Sequence, residues 1–74
     1  MRSDERNVPP VSVVGRVAAI LEVVEVARHP VGISEISAAT GLAKGSVHRL
    51  VEQLLSERLL ERDEHSRLSL GVRL

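Results

Sequence analysis

From Ala43 to Val51 the chain reads AKGSVHRLV, and side chains suited to binding chemistry gather there. Lys44 and Arg49 supply positive charge, and no acid interrupts this stretch. Arg49 suits a guanine edge or a phosphate, and Lys44 a phosphate. Ser46 offers a hydroxyl that bonds a phosphate or caps a helix start. His48 is neutral or charged near physiological pH. Its two readings are contact with a base or phosphate, and packing at the edge of the motif. Val47, Leu50, Val51, Leu54 and Leu55 recur at i, i+3, i+4, i+7 and i+8, which is one apolar helix face. Lys44, Gly45, Ser46, His48 and Arg49 begin the other face. A short helix that is apolar behind and basic in front suits the DNA major groove.

Little else in the chain suggests chemistry. His29, His48 and His65 lie far apart, whereas a zinc site needs converging ligands with supporting partners. The absence of cysteine excludes a disulfide framework and a thiolate metal site. Glu61 and Glu64 fall on an exposed hairpin, so no sheltered acid–base pair is expected. No Ser-His-Asp arrangement and no glycine-rich phosphate loop is present. The reading is a binding protein, not an enzyme, with no cofactor and no metal. The chain also lacks aromatic residues, which argues against base-stacking platforms for single strands. Ten basic and ten acidic residues give a net charge of zero. The acids gather in 52–57 and 61–64, so the basic surface is local and one copy should hold DNA weakly.

The elements that position these residues follow from periodicity and punctuation. Seventy-four residues make one small domain. Residues 1–11 are polar and run into a double proline, which reads as a flexible leader. Arg2 and Arg6 there could form a minor-groove arm, but Asp4 and Glu5 offset them. The start, MRSDERNVPP, lacks the apolar core of a secretion signal. Arg16, Glu22 and Glu25 break the longest apolar stretch, so no membrane span and a cytoplasmic location are expected.

A first helix is expected from Ser12, a plausible N-cap, to about His29, with Pro30 stopping it. Val13, Val17, Ile20, Leu21, Val24 and Ala27 should face the core. Val14, Val23 and Val26 widen the stripe, and its outer edge is either more core or a partner surface. Val31-Gly32-Ile33 is a connector with a possible strand bridge. Gly32 and Glu35 resemble a capping box with its serine replaced by glycine, and Ser34 is a competing cap. A second helix runs to about Thr40. Gly41 supplies its left-handed stop and Leu42 plugs the turn. The third helix spans about 43–57. Leu68, Leu70 and Val72 alternate as a half-buried strand, with Asp63-Glu64-His65-Ser66 as the hairpin tip. Counted from Ile33, the residues Ile36, Ser37, Gly41, Leu42, Val47 and Leu50 occupy the inner positions of a helix-turn-helix. The fold class expected is mainly α with a small β-hairpin, a winged helix-turn-helix of three helices and a two-stranded wing over 12–74. Arg62, His65 and Arg67 lie on that wing. They either touch DNA or are solvated beside Asp63 and Glu64.

The segments ISEISAATGLAKGSVHRLVEQL and LLERDEHSRLSLGVRL resemble the N-terminal DNA-binding domain of IclR-type (isocitrate lyase regulator-like) bacterial transcription factors. His48-Arg49-Leu50 and Leu70-Gly71 carry the most specific part of the likeness, which runs from about Val13 to Leu74. It implies sequence-specific binding of double-stranded DNA at a palindromic operator. The residues implied are Lys44, Gly45, Ser46, His48, Arg49, Arg62 and Arg67. It also implies a homodimer or higher assembly, and a small-molecule effector bound only by a C-terminal domain absent from this chain. Gly45 stands where the family usually has serine, which removes a phosphate hydroxyl. Ala43 stands for a frequent proline, Ser66 for a turn glycine, and Leu68 for an aromatic residue. A winged-helix interaction or dimerisation module that binds no DNA is the alternative. An exposed apolar patch along Val14, Val23 and Val26, without a basic patch at Lys44, His48 and Arg49, would favour it.

Overall fold

The computed structural model describes residues 12–72, which form three helices followed by a two-stranded antiparallel hairpin. This is the expected winged helix-turn-helix. The leader, with Arg2 and Arg6, lies outside the described residues, as do Arg73 and Leu74. Among the described residues no helix is long and apolar enough to cross a membrane.

Helix α1 spans Val13–Ala27, and the Ser12 hydroxyl caps it by accepting from the Gly15 N–H at 3.0 Å. It ends before Pro30 because Arg28 turns left-handed (φ 61°). Ile20 and Val24 are buried, with Val17, Leu21, Val23 and Ala27 packed around them. Val13 was expected in the core but is 58% exposed, at the rim of a groove it shares with Leu50 and Gln53. Val23, expected at the outer edge, packs against the core. Val14 (78%) and Val26 (69%) remain exposed. They are twelve residues apart, so at about 100° and 1.5 Å per residue they are about 120° apart around the helix and about 18 Å along it. They do not form a continuous apolar patch.

Helix α2 spans Ile33–Thr40 with Gly32 as its N-cap, not Ser34. Half of a capping box survives: the Gly32 N–H donates to Glu35 Oε1 at 2.8 Å, while glycine has no side chain to answer it. Helix α3 spans Lys44–Ser56 and buries Val47, Val51 and Leu54. Its end is closed by two backbone bonds, Arg58 N–H to Leu55 O (3.1 Å) and Leu59 N–H to Leu54 O (2.9 Å). That is a Schellman motif with Arg58 left-handed (φ 62°) where glycine is usual.

Strands β1 (Leu60–Arg62) and β2 (Leu68–Leu70) pair with Leu60 opposite Leu70 and Arg62 opposite Leu68. The connector joins them: Val31 and Leu68 exchange backbone bonds at 2.9 and 2.7 Å. Val31, Leu60 and Leu68 thereby close the base of the core. The half-buried face expected through Val72 is shorter than the alternation suggests. Leu68 is fully buried, but Leu70 is at the exposed margin and Val72 is 73% exposed. The helices cover only the first position of that row. Helix α1 packs on α2 and β2, α2 on α3, and α3 on β1. The hairpin therefore sits beside α3, the helix whose front carries the basic residues.

Candidate nucleic-acid interface

The turn between α2 and α3 fixes where the front of α3 points. Gly41 is left-handed (φ 79°), and its N–H donates to Ser37 O at 2.9 Å. Thr40 Oγ1 donates to Ile36 O (2.8 Å) and accepts from Leu42 N–H (3.2 Å). Ser37 Oγ donates to Leu42 O at 2.6 Å, so this inner-position serine clasps the turn. Leu42 is buried beneath it. Ser37→Ala should destabilise the domain by about 1 kcal/mol, because the partly buried Leu42 carbonyl loses its donor. Thermal unfolding would register this as a fall of roughly 4–8 °C; an unchanged midpoint would mean the clasp contributes nothing net.

Ala43 is the N-cap of α3 and has no side chain to satisfy the first-turn N–H groups. The backbone donors of Lys44, Gly45 and Ser46 are left for an external acceptor, in the geometry that suits a phosphate. Lys44, Gly45, His48 and Arg49 are exposed and Ser46 is half-buried. Among the described residues, Lys44 and Arg49 enter no ion pair. A Cβ placed on Gly45 meets nothing within 4 Å, so the backbone there is open to close approach. Arg49 and Ser46 also line a shallow groove with Val13, Arg16, Leu50 and Gln53.

The wing cations are placed differently. Arg62 Nη2 donates to Glu52 Oε2 at 2.9 Å, and His48 Nε2 stands 3.8 Å from the same oxygen. Arg62 thus joins the α3 face, through a carboxylate one turn beyond His48. The Arg62 hydrogen bond holds the Glu52 carboxyl below its ordinary value. Partial desolvation opposes this, and the charges of Arg62 and His48 add to it. Arg67 faces the other way. It donates from Nη2 to Glu35 Oε1 at 2.7 Å and from Nε to Pro30 O at 3.3 Å. The same Glu35 oxygen caps α2, so Arg67 staples the wing to the start of that helix. Sequence reasoning placed neither Glu52 beside Arg62 nor Glu35 beside Arg67. The i, i+4 spacing of His48 and Glu52 was the available signal.

At the hairpin tip Asp63 Oδ1 accepts from the N–H groups of His65 (2.8 Å) and Arg67 (2.9 Å). The Arg67 N–H bond, then that of His65, lowers the Asp63 carboxyl below its usual value against partial desolvation. Ser66, at the family's turn-glycine position, adopts the left-handed conformation (φ 62°) with its N–H on Asp63 O. The aspartate holds the turn that glycine would otherwise ease. No three His, Cys, Asp or Glu converge as a metal site among the described residues.

Residues 13–64, more than half of the chain, match the IclR helix-turn-helix domain. The crystal structure of an IclR homolog from Microbacterium sp. strain HM58-2 superposes with a TM-score of 0.77 at 30% identity. The superposition covers 85% of this chain and 26% of that one, so the chain spans about a quarter of the homolog's length. No curated protein matches the chain. With its helix-turn-helix clasp, its wing and its IclR-type domain match, the chain belongs to the IclR helix-turn-helix family.

Proposed function

We propose that residues 12–74 bind double-stranded DNA sequence-specifically, with α3 in the major groove, and that the domain is non-catalytic. The observation that carries this reading is the front of α3. Among the described residues, Lys44 and Arg49 are exposed and without ion pairs, beside first-turn N–H groups that no side chain caps. Arg49 is the base reader and Lys44 the phosphate anchor. Ser46 and His48 add contacts at the same surface, and Gly45 allows the backbone to come close to a phosphate. Arg62 contacts the flanking backbone from the wing beside α3, and Arg67 reaches a phosphate only by leaving Glu35 and the Pro30 carbonyl.

Two cations and two partnered arginines per copy are few for a tight complex, since sequence-independent affinity scales with neutralised phosphates. Two copies on a palindromic operator supply the rest, as a homodimer or higher assembly of a cytoplasmic regulator. An effector would act through a further domain. The exposed valines of α1 do not share a face, which weighs against a pure interaction module.

The test is a titration of labelled duplexes, one enriched by the chain from a random pool and one scrambled, over a series of salt concentrations. Affinity should fall steeply with salt, and the enriched duplex should bind more tightly at every point. Salt-independent binding, or equal affinity for both duplexes, would sink the reading.

A further inference from the structure

The first acid after the basic front of α3 is Glu52, and the fold brings it onto that front. Strand alternation puts Arg62 on the same side of β1 as the buried Leu60, facing α3, and turns Glu61 away. Arg62 Nη2 then reaches Glu52 Oε2 across ten residues of sequence at 2.9 Å. Both side chains remain solvent-accessible (38% and 49%), and such exposed pairs contribute little to stability. The pair instead changes the charge the surface presents. Among the described residues, Lys44 and Arg49 enter no ion pair, while Arg62 is occupied and His48 has a carboxylate nearby.

We propose that Glu52 is an internal counter-ion that sets DNA specificity, by occupying Arg62 until a correctly seated phosphate replaces it. This rests on the DNA-binding reading. A free arginine attracts any phosphate, so it raises affinity for all sequences alike. An arginine already held by a carboxylate must exchange one anion for another. Loose, non-specific encounters do not place a phosphate where the exchange is favourable. Docking of α3 on its site does, because the wing is tied to that helix. Specificity is the ratio of the two affinities, and Glu52 lowers the non-specific one.

The experiment compares the unmodified chain with E52Q, R62A, E52Q/R62A and E61Q, on an enriched and a scrambled duplex over a salt series. E52Q should bind the scrambled duplex on the order of fivefold more tightly, with a salt slope steeper by about 0.9, one added phosphate contact. Affinity for the enriched duplex should change less, so discrimination narrows. The gain should vanish in E52Q/R62A, which assigns it to Arg62. E61Q removes the same charge from the far side of β1 and should gain less than half as much. The proposal is overturned if E52Q binds the scrambled duplex no more tightly, or if E61Q matches it. A chain whose unmodified form binds neither duplex overturns the DNA reading and this inference together. A chain that binds both, with E52Q unchanged, overturns the inference alone.

Discussion

Gly71→Ala should lower the melting temperature by roughly 10–25 °C, whereas Gly45→Ala should raise it slightly. The two glycines differ in what a methyl group would meet. At Gly71 a Cβ would stand 2.3 Å from the Arg58 carbonyl oxygen and 2.9 Å from the Leu59 carbonyl carbon. These are backbone atoms and they are pinned. Arg58 N–H is bonded to Leu55 O, Leu59 N–H to Leu54 O, and Gly71 N–H to Leu59 O at 2.9 Å. Relieving the clash means opening the end of α3 or detaching the end of β2. Overpacking of this kind costs about 3 kcal/mol, a large part of the roughly 4–11 kcal/mol that a chain of this size has in total. At Gly45 a Cβ enters open space, and alanine gains up to about 1 kcal/mol of helix propensity, less in a first turn. Thermal melts of both variants by circular dichroism decide the matter. Equal midpoints would show that the wing yields at Gly71 and that the close approach is not a constraint. The Leu70-Gly71 pair that carries part of the family likeness thus has a steric reason: β2 ends against the backbone that closes α3.

The features legible in the sequence were those encoded by local period and punctuation. The apolar row of α3, the Gly41 stop and the buried Leu42 all appear where the spacing puts them. The α1 end was not legible, because Arg28 adopts a left-handed cap that no residue type announces. Pro30 marks the limit of a helix that has already ended. Alternation identified the wing strand but not its coverage, since period two says which side a residue faces and not whether anything lies above it. Leu70 and Val72 follow the pattern beyond the reach of the helices. The charge pattern misled most. Glu52 belongs to an acidic run in the sequence, yet the turn of α3 and the return of β1 set it on the basic face, against Arg62. Glu35, read as half of a capping box, also holds Arg67 from the far end of the chain. Pairings across 10 and 32 residues depend on how the wing folds back, and local patterns carry no trace of them.

Arg49→Ala should weaken binding to an enriched duplex by roughly ten- to a hundredfold, the scale of about 1–3 kcal/mol for a bidentate base contact. Binding to a scrambled duplex should fall only a few-fold. Arg49 is exposed and enters no ion pair among the described residues, so its removal should leave stability within about 0.5 kcal/mol. The lost affinity would then be a property of the interface and not of the fold. Lys44→Ala is the companion measurement. Lys44 opens α3 beside the uncapped N–H groups, where a phosphate is the expected partner. Its loss should weaken both duplexes by similar factors and flatten the salt slope by about one contact. The two variants remove the same charge from adjacent turns of one helix, so a purely electrostatic surface would treat them alike. If Arg49→Ala and Lys44→Ala shift both duplexes equally, α3 attracts DNA without reading it. Specificity would then have to come from the wing or from DNA shape. If they separate as expected, Arg49 reads a base while Lys44 fixes the register in which it does so.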